Sequence, residues 1–175
     1  MSDLFETVKN AQDGLTKLLA KLPGFKGYVE RSTRRAADKL LRDQVALKYS
    51  ELVARTSRLQ VDIAEAGQLD FLDDIEKVGR KLRTFTDRIK NASYGYSGFF
   101  DAVKINENEL AQLYTFDATF FDLADQISNG LDNVEAGIEG EGLKAAIRAV
   151  NTLARQVTET YDRRYQVISG LADRK

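Results

Sequence analysis

Apolar residues recur along this chain at alternating steps of three and four, in five separate stretches. That spacing lines one side of a helix with about 3.6 residues per turn, and it conflicts with the two-residue alternation of a half-buried strand. Leu4, Val8, Ala11, Leu15, Leu18 and Leu22 form the first stripe, with Ser2 placed as N-cap and Pro23-Gly24 as the stop. From about Glu30 to Ala66 a longer helix is predicted, carrying Leu41, Val45, Tyr49, Leu52, Leu59 and Ile63 and closed by Gly67. A third runs from Asp70 to near Ser93 on Ile75, Val78, Leu82, Phe85 and Ile89, with Gly79 inside it as either a close helix contact or a surface weakness. The fourth starts at Asn106 or Glu107 and carries Leu110, Leu113, Phe120, Ala124, Ile127, Leu131, Val134 and Ile138 to the Gly140-Glu141-Gly142 turn. The fifth carries Leu143, Ile147, Val150, Ala154, Val157, Tyr161, Ile168 and Leu171, with one skipped turn at Arg164-Tyr165.

Short turns between long helices make antiparallel neighbours. The expected fold is therefore all-α, one domain over residues 1–175: an antiparallel up-down four-helix bundle over 28–175, preceded by a short amphipathic helix over 1–22. A chain of 175 residues can bury roughly 70% of its unfolded surface, so such a bundle needs no staple. None is available, because the chain has no cysteine. It also has no histidine, which removes triads, imidazole acid/base catalysis, zincin sites and the Glu-x-x-His di-iron bundle. No catalytic residue, metal or cofactor is expected, and an enzyme would have to work with Asp, Glu, Lys, Arg and Tyr alone. No run of about 18 apolar residues occurs, and the start lacks a secretory pattern, so the expected location is cytoplasmic, or peripheral to a membrane.

Charge is uneven along the chain: residues 1–50 hold ten basic and six acidic side chains (+4) and 101–150 three and ten (−7). Packing these stretches side by side gives internal electrostatic matching; a basic patch or an acidic docking face are the alternatives. Arg31, Arg34, Arg35, Lys39 and Arg42 make the start of the second helix the most basic surface, a place for phosphate if it is not simply a solvated face. Asp122/Asp125, Asp132/Glu135 and Glu135/Glu139 each share a helix face, which reads as solvated acid or as oxygen ligands for a hard cation. Asp117 falls on the apolar stripe of the fourth helix, either reaching water at the bundle edge or buried against a cation, with Arg83, Arg88 and Lys104 as candidate partners. The first helix flanks its stripe with Lys9, Lys17, Lys21 and Lys26, suited to packing on the bundle or to an anionic membrane surface.

Periodicity disappears between Asn91 and Asn106, where four aromatic residues and two glycines occur together. Tyr94, Tyr96, Phe99, Phe100, Asp101 and Lys104 are the candidate partner-binding residues, since aromatic anchors carry much of the energy of interfaces. The other reading makes them a plug on the end of the bundle. The run Tyr94-Gly95-Tyr96-Ser97-Gly98-Phe99-Phe100-Asp101-Ala102-Val103-Lys104-Ile105 resembles a motif of an uncharacterised family of small all-helical bacterial proteins. Pro23-Gly24-Phe25-Lys26-Gly27-Tyr28, Arg34-Arg35-Ala36-Ala37-Asp38-Lys39-Leu40-Leu41-Arg42 and Leu113-Tyr114-Thr115-Phe116-Asp117 are similar to the same family. The resemblance implies a helical fold and no assigned reaction. Taken together, these features point to a non-enzymatic interaction or scaffold protein, an accessory subunit whose partner is another protein. The alternatives are a membrane-surface adaptor docking through 1–22, or an RNA- or ribosome-binding factor.

Overall fold

The computed structural model describes residues 16–25, 34–92 and 107–172, with side chains over 16–25, 36–92 and 113–166. The stripes become four long helices: α1 (Arg34–Glu65), α2 (Leu72–Asn91), α3 (Glu107–Ala136) and α4 (Leu143–Ala172). A single 3-10 turn, Leu69–Phe71, leads into α2, and no strand occurs among the described residues. Gly67 ends α1 as the sequence suggests. Its φ of 73° lies in the left-handed region, and the Gly67 and Gln68 amides donate to the carbonyls of Ala64 and Ile63, satisfying two otherwise orphan acceptors.

The helices alternate in direction, as expected of an up-down bundle. Their lateral order could not be read from the stripes. α1 packs against α2 and α3, and α4 packs against α2 and α3, so consecutive α2 and α3 lie diagonally across the bundle. Contacts fix the directions: Thr56 faces Gly79 and Arg42 faces Ile89, making α1 and α2 antiparallel. Tyr49 meets Phe120 and Arg55 meets Ser128, making α1 and α3 parallel. Parallel neighbours arise because residues 93–106 join two diagonal corners at one end, while turns of a few residues join α1 to α2 and α3 to α4.

Among the described residues the stripes face inward: Val45, Leu59, Ile75, Leu82, Phe120, Ile127, Val150 and Val157 are all buried, and Leu22 at the end of the first stripe is half-buried. Four rings meet at mid-bundle, one from each helix. Phe85 touches Tyr49, Phe120 and Tyr161 at centroid distances of 4.5, 4.9 and 5.9 Å. The uneven charge also finds internal matches: Lys48 pairs with Asp125 at 3.3 Å, and Arg55 pairs with Asp132 and with Glu135, the latter at 3.0 Å.

Two glycines mark close helix approaches. Gly79 is buried against Thr56, so it is a helix contact rather than a surface weakness. A methyl group added at Gly130 would lie 2.7 Å from Cγ2 of the fully buried Val150. Gly130→Ala should therefore destabilise the protein by about 1–3 kcal/mol through overpacking, although alanine is about 1 kcal/mol the better helix former. Thermal unfolding checks this, and a raised melting temperature would show that α3 and α4 are not in close contact there.

Candidate functional site: a closed charge layer at one end of the bundle

Four charged side chains are buried together at the end of the bundle where α1 begins and α4 finishes. Asp38 and Arg42 come from α1, Asp117 from α3 and Arg164 from α4, with Arg164 fully buried and Asp117 only 1% exposed. Each occupies a stripe position. Asp38 precedes Val45, Leu52 and Leu59 by sevens, Arg42 precedes Tyr49 and Ile63 in the same way, Asp117 precedes Ala124 and Leu131, and Arg164 follows Leu143, Val150 and Val157. The bundle thus replaces one apolar layer with charge.

Such a layer is tolerable only if its charges cancel and its donors find acceptors. Both conditions hold. Arg164 donates through Nε to Asp117 Oδ1 at 2.9 Å and through a terminal nitrogen to Oδ2 at 3.3 Å. The same terminal nitrogen reaches Asp38 Oδ1 at 3.1 Å. Arg42 Nε donates to Asp38 Oδ2 at 2.8 Å, and its terminal nitrogen donates to the carbonyls of Ile89 and Lys90 at 3.3 and 3.4 Å. Those carbonyls belong to the last turn of α2, where the helix dipole favours a cation. Two guanidinium groups and two carboxylates therefore tie all four helices into one neutral network, and no described buried side-chain polar atom is left without a hydrogen bond. Burial pushes the Asp117 carboxyl above the ordinary range while Arg164 pulls it down.

This geometry agrees with the buried-charge reading of Asp117 and corrects its expected partner and the basic-patch reading of Arg42. Arg42 is not part of a solvated basic patch; it is 3% exposed and committed to Asp38 and α2. Asp117 is buried rather than at the water edge, but its partner is Arg164. Arg83 is exposed, and Arg88 serves Asp162 at 2.7 Å and covers the Tyr161 ring at 4.3 Å. Lys39 is exposed, as a surface cation should be. Arg31 lies outside the described residues, as do Tyr94, Tyr96, Phe99, Phe100, Asp101 and Lys104, and the Arg34 and Arg35 side chains lie outside the described side chains. Asp38 and Arg164 are the members that sequence reasoning missed.

The paired carboxylates of α3 are drawn into ion pairs with cations of neighbouring segments. Lys21 binds Asp122 at 3.6 Å and Asp125 more closely, and this hydrogen bond holds the Asp125 carboxyl below its ordinary value. Among the described residues no group of three or more acidic side chains is arranged to hold a metal ion. The described segment 16–25 lies on the bundle: Leu18 is fully buried, and Phe25 meets Tyr114 edge-on at 6.2 Å. No described helix is long and apolar enough to cross a membrane.

Beside the layer, the buried Tyr49 hydroxyl donates to the Phe120 carbonyl at 2.8 Å. Burial pushes its ionisation far above the usual 10.0. A group whose folded value is raised contributes stability below its unfolded value and loses that contribution as pH rises past it. Tyr49 should therefore ionise only as the bundle unfolds in alkali. Tyrosinate absorbance followed with circular dichroism tests this, and complete titration of all seven tyrosines near 10 with the helices intact would contradict it.

No protein family, curated protein or solved structure matches this chain.

Proposed function

We propose that the protein is a non-enzymatic helical-bundle interaction protein, a scaffold or accessory subunit of a larger assembly. The observation supporting this reading is the closed charge layer. The buried ionisable groups that converge in the described core, Asp38, Arg42, Asp117 and Arg164, neutralise and hydrogen-bond one another across four helices, an arrangement suited to fixing a rigid frame. A catalytic centre would instead aim such groups at a cleft that a substrate can enter.

Native size-exclusion of the protein from its source provides the test. The expected result is co-elution with a second protein at fixed stoichiometry, lost in Tyr96→Ala or Phe99→Ala proteins that melt like the wild type. Elution as a lone chain would contradict the proposal. For the membrane-adaptor alternative, the inward-facing Leu18 and the pairing of Lys21 with α3 weigh against a free stripe at the end of 1–22. For an RNA-binding role, internal use of Arg42 removes one cation from the basic patch.

A further inference from the structure

The ion pairs along the channel between the parallel helices α1 and α3 form a ladder with a step of seven residues. Lys48 pairs with Asp125 at 3.3 Å, and one step further along both helices Arg55 pairs with Asp132. The next step brings Asp62 of α1 to Glu139, in the turn that follows α3. Here the ladder breaks, because this rung holds two carboxylates and no cation. Asp62 and Glu139 border one open space of about 560 Å³ together with Glu65 and Glu135. Arg55 serves Glu135, whereas Asp62, Glu65 and Glu139 pair with no cation among the described residues.

The first rung shows what this channel accepts. There the exposed Leu47 stands beside Lys48 and Asp125, and the described segment 16–25 seats Lys21 on Asp122 and Asp125 while Leu22 borders the same space as Leu47. Two steps up, Val61 takes the place of Leu47: it is 55% exposed and borders an adjoining open space of about 440 Å³ with Asp62 and Glu135. We infer that this upper end of the channel docks a partner protein through a basic residue followed by an aliphatic one, the cation seated between Asp62 and Glu139 and the aliphatic side chain on Val61. Lys21-Leu22 on the first rung is the same chemistry, bound in the same channel. Like charges gathered on one rung cost free energy that an incoming cation recovers. The carboxylates are not arranged to hold a metal ion, so a lysine or arginine side chain is the cation that fits.

The inference rests on the interaction reading and names the kind of partner. Its probe is a fluorescent amphipathic peptide of leucine and lysine, titrated into the full-length protein beside a leucine–glutamate peptide and followed by anisotropy. The expected result is binding of the first peptide alone, weakened about tenfold or more by Asp62→Lys, which gives Glu139 its cation from within. Val61→Ser alters no charge and should weaken binding severalfold, whereas Asp87→Lys, the same reversal at an exposed position of α2, should leave it unchanged. Circular dichroism checks that each variant is folded, and Glu139→Gln, also expected to weaken binding, replaces Asp62→Lys if that variant is not. Binding indifferent to the Asp62 and Glu139 changes overturns the inference, as does equal weakening by Asp87→Lys, which would mean attraction to negative charge in general. Dimers that form without peptide and dissociate in Asp62→Lys would assign the rung to a second copy and overturn it as well. In the native co-elution experiment, a partner still retained by Asp62→Lys overturns this inference and leaves the interaction reading standing, whereas a wild-type protein eluting as a lone chain overturns both.

Discussion

Asp117→Ala should lower the free energy of unfolding by about 3–5 kcal/mol, the range for breaking a buried ion pair. Most of that loss arises from what remains. Arg164 is fully buried and would lose both hydrogen bonds to Asp117, at 2.9 and 3.3 Å, while its guanidinium stays desolvated. Domains of ordinary stability have about 5–15 kcal/mol in total, so the variant would sit near the edge of folding. Asp117→Asn should lose less, because an amide oxygen still accepts from Arg164 Nε. Urea unfolding checks both, and an Asp117→Ala midpoint equal to the wild type's would place this carboxylate in solvent.

Phe85→Ala should cost about the same, roughly 3–5 kcal/mol, by a different route. Its ring touches one aromatic residue from each of the other three helices, so truncation leaves a cavity that no single helix can close by moving. Phe85→Leu retains most of the volume and should lose less than about 1.5 kcal/mol. Thermal and urea unfolding of the pair separate a volume effect from a general intolerance. An alanine variant within about 0.5 kcal/mol of the wild type would show that α2 does not reach the centre of the bundle.

Helix type was legible because a stripe of steps of three and four has one geometric solution, and Gly67 marked the end of α1, whereas α3 stops at Ala136, ahead of the Gly140-Glu141-Gly142 turn read as its end. Lateral order was not. Periodicity says which side of a helix is buried but not which neighbour buries it, and the stretch 93–106 carries no periodic signal of where it leads. That gap explains the wrong partner for Asp117. Arg83 and Arg88 were chosen from the third predicted helix by adjacency in sequence, whereas α3 packs beside α4 and lies diagonal to α2. The signal that could have found Arg164 was the skipped turn itself: carrying the sevens of Leu143, Val150 and Val157 one step further lands on it. The same extension of Val45, Leu52 and Leu59 backward lands on Asp38. Arg164 was read as a break in its stripe, because burial of charge is costly unless a partner from another helix is known. Arg42 was misplaced for the same reason, since it belongs by phase to the core and only by sequence to the exposed Lys39.

The charge layer makes one further demand on the chain. Polar groups at stripe positions penalise every alternative pairing that would leave them apart, which is how buried polar positions fix register in coiled coils. A neutral layer contributed by α1, α3 and α4 and capped on the end of α2 selects the observed lateral order among the arrangements that apolar stripes alone would accept. Its role is then structural specification, and its members act as a unit. The most direct measurement is a double-mutant cycle in urea on Asp117→Leu and Arg164→Leu. The account predicts that each single change is severe and that the double variant recovers much of the loss, with a coupling of about 2–3 kcal/mol, because two apolar side chains can fill the layer once neither charge is stranded. Simple addition of the two losses would show that Asp117 and Arg164 do not act on one another, and the closed layer would have to be abandoned.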